Sequence, residues 1–374
     1  MKRIQSIDNF RGMVIFLMVL YHVLDWWIIW SDRWLIVILF GILGSIFASG
    51  LIFVSGFSAG FSYKRSLNQI ASSTDTTMAR TRNIYVIRAL LLLIVAIIYN
   101  TVIAIAINDL RYIWAWYPLQ TIAISLLIAW PLLRTSKYLR IGLGIGLVVI
   151  NDALLPFLLT FRDQLNIFGL LFQILYNPPE HFTIVSYFGV FLIGTAFGDF
   201  LFDINSIKDQ EERKHAIKYK FVKTCIIGGI ISTTFGIIYR FDDFFYRFNL
   251  SGFFYSIGAD LIIISILLYF EEFEIFKFKK SYRFLFFYSV YSFTIYLTHD
   301  PLYFLLYQQL NAITIWIAEF VLFVILTYLL KVIYQKLGKS VSIKSQLSKM
   351  SLVIVDKIEQ RKSKKIENKL LISQ

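Results

Sequence analysis

The chain has a single cysteine, Cys225, among 374 residues. That excludes an intramolecular disulfide framework and any cysteine-built metal cluster. Histidine is scarce, with four residues, and proline numbers only six. No glycine-rich phosphate loop, no Cys/His metal spacing and no nucleophile elbow is present, so the sequence offers no metal site and no hydrolase-type serine. Segments of strict polar/apolar alternation, the mark of a transmembrane β-barrel, are missing too. What the chain has in abundance is apolar surface: it is 57% hydrophobic and 18% aromatic, with a mean hydropathy of +0.66. No soluble domain of this length needs so much. The class is an all-α integral membrane protein, a bundle of about ten transmembrane helices.

Ten spans are predicted, at 12–30, 36–62, 84–107, 112–133, 140–160, 183–203, 220–240, 250–270, 284–308 and 312–335. The first has no small-residue cleavage site behind it and reads as a retained helix. Alternating the loops from a cytoplasmic N-terminus leaves only Arg33, Arg111, Arg162, Arg240 and Arg247 on the external side, against the remaining 32 of 37 Lys and Arg residues on the cytoplasmic side. A bias of that size predicts an N-in, C-in, multi-pass protein of the cell membrane. It also accounts for the +13 net charge by topology and attraction to anionic headgroups, not by nucleic-acid binding. Residues 1–336 form the membrane domain. Residues 337–374 form a basic cytoplasmic tail, interfacial or disordered. The loop 64–82 is polar and Ser/Thr-rich, 165–176 is apolar enough to lie in the interface, and 241–249 is an aromatic external loop.

The candidate chemistry gathers on the first span. Arg11 and His22 are eleven residues apart on it. At about 1.5 Å rise per residue the histidine stands roughly 16 Å deeper than the arginine. An ionisable residue at that depth is a functional candidate. Asp25 follows at i+3 on the same face, where a carboxylate can orient an imidazole acting as general base. The same spacing suits a histidine held by helix–helix hydrogen bonds. Asp8 and Arg11, also i and i+3, read first as an ion pair at a helix start. Lys64, Arg65, Arg80, Arg82 and Arg88 cluster at the cytoplasmic mouth of the second and third spans. They suit phosphate binding, but on the sequence alone positive-inside anchoring is the favoured reading. The 55–65 stretch has small residues at helix-packing spacing. His299 and Asp300 sit within the ninth span, with Pro301 loosening the helix. Asp260 and Glu319 are lone intramembrane carboxylates, readable as proton relay or as polar glue. His181 and His215 fall in loops and are read as incidental.

Taken together these segments resemble a known family. SIDNFRGMVIFLMVLYH (6–22) is similar to the opening of the heparan-alpha-glucosaminide N-acetyltransferase catalytic domain and of its relative, the third acyltransferase family of bacterial O-acyltransferases. Asp8, Arg11 and Gly12 stand at its Asp–x–x–Arg–Gly, and Arg11 to His22 has the arginine-to-histidine spacing of the O-acyltransferases. FVSGFSAGFSYKR (53–65), PLQTIAISLL (118–127), SYFGVFLIGTAFG (186–198) and YSVYSFTIYLTHDPL (288–302) resemble later family segments, in order. The heparan enzyme often carries asparagine where His22 stands, and the tight Arg–x–x–Arg of the O-acyltransferases is absent here.

The resemblance implies a membrane-embedded acyltransferase. It would move an acyl group, typically acetyl, from cytoplasmic acyl-CoA to a sugar amine or hydroxyl on the external side, with a glycan or lipid-linked sugar as acceptor. His22 would be the base or transient acyl carrier, Arg11 and Arg88 would hold the donor, and His299 would lie in the pocket. The sites to test are therefore His22, Asp25 and His299 for catalysis, and Arg11, Lys64, Arg65, Arg82 and Arg88 for the CoA donor. No metal is implied, and a homodimer is left open. The rival from another class is a proton-coupled transporter or flippase using His22, His299, Asp260 and Glu319 as a path. No inverted repeat or pair of broken helices supports it. A lipid-linked glycosyltransferase would want an external acidic motif after the first span, where only Asp32 stands.

Overall fold

A computed structural model describes residues 4–72, 77–178, 181–241, 249–275 and 283–372. The predicted loops at 64–82 and 241–249 lie partly outside them. Helix is the only regular secondary structure among the described residues, beside one isolated backbone bridge between Ile28 and Leu310. The helices are α1 (Gln5–Trp27), α2 (Trp34–Ser72), α3 (Met78–Ala106), α4 (Pro118–Leu132), α5 (Lys137–Leu159), α6 (Ile167–Tyr176), α7 (Ile184–Asn205), α8 (Gln210–Ala216), α9 (Lys223–Tyr239), α10 (Leu250–Glu272), α11 (Arg283–Val290), α12 (Ser292–Thr298), α13 (Thr314–Leu337) and α14 (Ile343–Ile372). Among the described residues, nine helices are long and apolar enough to cross a membrane. They match nine of the ten predicted spans.

The tenth match fails as a continuous helix. The predicted span 284–308 is cut into α11, α12 and a tight turn at Asp300–Phe304. Two causes are visible. Pro301 has no N–H to give the preceding turn. At the other break, Ser342 Oγ donates to the Val290 carbonyl (2.6 Å), which a continuous helix would pair with the Thr294 amide. Tyr291 Oη donates to the Gly338 carbonyl from the same side. The turn after α13 is thus stitched into the gap between α11 and α12.

Burial sorts the helices into an inner and an outer set. α7 is the most enclosed, with 83% of its apolar window buried, whereas α5 and α13 have 22% buried. The outer helices present large apolar side chains outward, such as Leu90, Ile94 and Ile105 on α3 and Phe320 and Val324 on α13. Such continuous apolar faces are what lipid tails cover. α2 and α7 meet at very close range. Gly56 and Gly60 lie on the Phe191 and Thr195 carbonyls, while Gly194 and Gly198 lie on those of Phe53 and Phe57. The two small–x–x–x–small stripes face each other, and any Cβ there would collide with backbone.

α1 is held at both ends. The Gln5 and Ser6 amides donate to the two carboxylate oxygens of Glu271 on α10 (2.9 and 2.6 Å), which satisfies orphan donors of the first turn. At the other end the Trp26 and Trp27 carbonyls accept from the amides of Gln308 and Leu310 (2.9 Å each). The Trp27 indole donates to the Leu302 carbonyl (2.8 Å). These bonds fold the segment after His299 over the C-terminal end of α1.

Candidate active site

Two cavities flank the middle of α1. One, of about 1,020 Å3, surrounds its C-terminal half and is lined by His22, Asp25, Trp26, Tyr99, His181 and His299 among others. The other, of about 650 Å3, surrounds its N-terminal half and is lined by Asp8, Arg11, Arg65 and Arg88 together with serines of α2. Leu51 of α2 lines both, so the two chambers share a wall.

In the first chamber the His22 and His299 rings lie 5.0 Å apart, centroid to centroid. Trp26, one turn beyond His22, stacks on both, at 5.2 Å from His22 and 5.7 Å from His299. His299 is buried, and its Nδ1 is 2.6 Å from the Tyr296 carbonyl. A carbonyl can only accept, so Nδ1 carries the hydrogen and Nε2 is the nitrogen left to exchange a proton. Nε2 is 3.7 Å from a carboxylate oxygen of Asp300. The other Asp300 oxygen accepts from Tyr99 Oη (2.7 Å). Tyr117 and His181 pack ring to ring at 4.9 Å on the same wall. Aromatic faces with hydroxyls at their tips, beside imidazoles, suit a polyhydroxylated or amino-bearing ligand.

His181, predicted as incidental, therefore belongs to this chamber, and three of the four histidines meet there. Its loop position hid it, because only the fold carries residue 181 to Tyr117. His215 lies elsewhere, against Tyr219 (4.5 Å). Asp25 lines the chamber, and its Oδ1 pairs with the Arg33 guanidinium (3.3 Å). The i+3 spacing placed it near His22 but did not reveal this partner.

In the second chamber Arg11 is nearly buried. Its guanidinium donates to Asp8 (3.2 Å) and to Ser58 Oγ (2.5 Å), and Asp8 also accepts from Ser289 Oγ (3.3 Å). The predicted Asp8–Arg11 ion pair is present. Arg65 and Arg88 line the chamber beside Arg11. Lys64 and Arg82 do not. Lys64 pairs with Asp199 (3.2 Å), which also takes the buried Arg140. Arg82 is exposed. Arg80 is engaged by Asp356 and Glu359 of α14.

Two other singled-out residues join neighbouring helices. Ser49 Oγ donates to Asp260 Oδ2 (2.7 Å), joining α2 to α10. Gln120 of the PLQTIAISLL segment accepts from Asn100 (2.7 Å), joining α4 to α3. Glu319 is buried on α13 and lines neither chamber. Among the described residues no three His, Cys, Asp or Glu side chains are grouped to hold a metal.

A helical bundle with apolar outer faces is that of a multi-pass membrane protein, and this one holds adjoining basic and histidine-lined chambers. The family model for the heparan-alpha-glucosaminide N-acetyltransferase catalytic domain matches residues 3–239, and the chain belongs to that family. Membership implies membrane acetyltransferase activity in general. No curated protein matches the chain at a significant level. The matched span holds Arg11, His22, Asp25, Arg65, Arg88 and His181, while His299 and Asp300 lie beyond it.

Proposed function

We propose that the protein transfers an acetyl group from cytoplasmic acetyl-CoA to a sugar amine or hydroxyl presented from the external side. The observation that carries this reading is the pair of chambers sharing Leu51, with cations at one end and the His22–His299 pair at the other. Arg11, Arg65 and Arg88 bind the donor's phosphates, since guanidinium groups match phosphate oxygens in geometry and charge. The pantetheine arm extends past Leu51 and brings the thioester to His22, about 16 Å further along α1.

His22 acts as general base. It takes the proton from the acceptor nitrogen or oxygen as that atom bonds to the thioester carbonyl carbon. The tetrahedral intermediate collapses, the carbon–sulfur bond breaks, and the sulfur leaves as thiolate. His22 then returns its proton to that thiolate. His299 and Asp300 hold the acceptor against the aromatic wall, and the Asp25–Arg33 pair flanks the chamber's rim. The membrane arrangement that fits is N-in and C-in, with the broken α11–α12 segment as the tenth crossing, in the cell membrane. The positive-inside charge bias supports it.

The test is radiolabelled acetyl-CoA with purified protein in detergent, wild type beside His22→Ala. CoA release or label transfer that requires His22 is expected. No CoA binding or release by well-folded wild type, with longer acyl-CoAs also tried, would overturn the reading in favour of transport without chemistry.

A further inference from the structure

We infer that α14 completes the donor site: Lys344, from the segment after the last long apolar helix, is a phosphate-binding residue of the basic chamber, held there by the docking of α14 on α3. This inference rests on the acyl-CoA reading above and extends it to a part of the chain beyond the matched family span.

The chamber wall is not closed by the membrane helices alone. Lys344, Ser345, Leu347 and Ser348 of α14 line it together with Arg11, Arg65 and Arg88. With Lys344 the wall carries four cationic side chains and one carboxylate, Asp8, which Arg11 already engages. A chamber of that charge suits a ligand bearing several phosphate groups. The nucleotide end of CoA, with a diphosphate and a separate ribose phosphate, is of that kind.

Lys344 does not reach the chamber on a loose tail. On one side of it Ser342 Oγ donates to the Val290 carbonyl (2.6 Å), and the Ile343 amide donates to Thr294 Oγ1 (3.2 Å). On the other side Leu347, Ser351 and Val355 are buried along one stripe at i, i+4 and i+8. Further along, Arg80 of α3 grips both Asp356 and Glu359, the former at 2.5 Å. Lys349, Lys357 and Arg361 are exposed, which leaves them to the lipid surface and sets Lys344 apart from them.

The experiment measures protection of the full-length protein in detergent by CoA and by pantetheine, which has no phosphates. Wild type is compared with Lys344→Gln, Lys344→Arg and Arg80→Gln. In Lys344→Gln the CoA affinity falls roughly tenfold, so the CoA-to-pantetheine affinity ratio falls with it, and Lys344→Arg restores most of the ratio. Arg80→Gln, which removes both latch contacts without touching the chamber, weakens CoA in the same direction. If wild type binds CoA and Lys344→Gln keeps the full ratio, the assignment of Lys344 fails and the acyl-CoA reading stands. Wild type that does not bind CoA at all overturns both. A variant that keeps the ratio but loses binding to vesicles of phosphatidylglycerol in phosphatidylcholine identifies Lys344 as a headgroup contact and refutes the donor assignment. CoA affinity unchanged in Arg80→Gln refutes the latch.

Discussion

Truncating His22 to alanine is expected to separate chemistry from folding. His22 is half-buried on the wall of a chamber of about 1,020 Å3. Removing its ring enlarges an existing cavity and opens no new void in packed core. The loss of a positioned general base costs roughly 10²–10⁴ in rate. At 1.36 kcal/mol per tenfold that is about 3–5 kcal/mol of transition-state stabilisation. His299→Ala makes the contrast. His299 is buried, and its Nδ1–H satisfies the Tyr296 carbonyl at the point where Pro301 ends the helix. Losing that bond leaves a buried acceptor unpaired, at about 1–3 kcal/mol. The assay is CoA release from acetyl-CoA with an amino-sugar acceptor, run beside thermal unfolding in the same detergent. His22→Ala is expected to lose turnover at an unchanged melting temperature and with unchanged CoA affinity. His299→Ala is expected to lower both turnover and melting temperature. Full turnover in folded His22→Ala would refute the general-base assignment, and with it the placement of the thioester in this chamber.

Further outcomes follow from the same geometry. Leu51→Trp, at the wall both chambers share, is expected to block acyl transfer while CoA protection persists; transfer at the wild-type rate would show that the thioester takes another route. Arg65→Gln is expected to raise the KM for acetyl-CoA severalfold with kcat little changed, whereas Lys64→Gln, which removes one of the two cations on buried Asp199, is expected to lower the melting temperature and leave that KM alone. Gly56→Val drives a side chain into the Phe191 carbonyl, and the expected destabilisation is about 1–3 kcal/mol, read as a lower melting temperature or lost folded yield.

Much of this protein is local, and so legible in the sequence. Hydropathy over some twenty residues is a property of each segment, which is why nine predicted spans reappear as long apolar helices. The Arg11–His22 separation lies within one helix, where the rise per residue decides it. The small residues of the 55–65 stretch, Gly56 and Gly60 among them, signalled close approach before their partner was known. The family segments spread along the chain identified the class for the same reason, since each is a short local pattern.

Tertiary structure decided which of these local features meet. His299 joins His22 because Gln308 and Leu310 fold the chain back over the end of α1. His181 enters the same chamber through Tyr117 on another element. The carboxylates chose partners that spacing could not reveal: Asp25 pairs with Arg33, and Asp199 pairs with Lys64. Pro301 advertised one break in the ninth span, but the break at Tyr291 depends on hydroxyl and carbonyl groups of the turn after α13. Helical periodicity speaks for one segment at a time. Which face of each helix meets which neighbour is decided by long-range packing, and that packing assembles the two chambers and brings Lys344 to one of them.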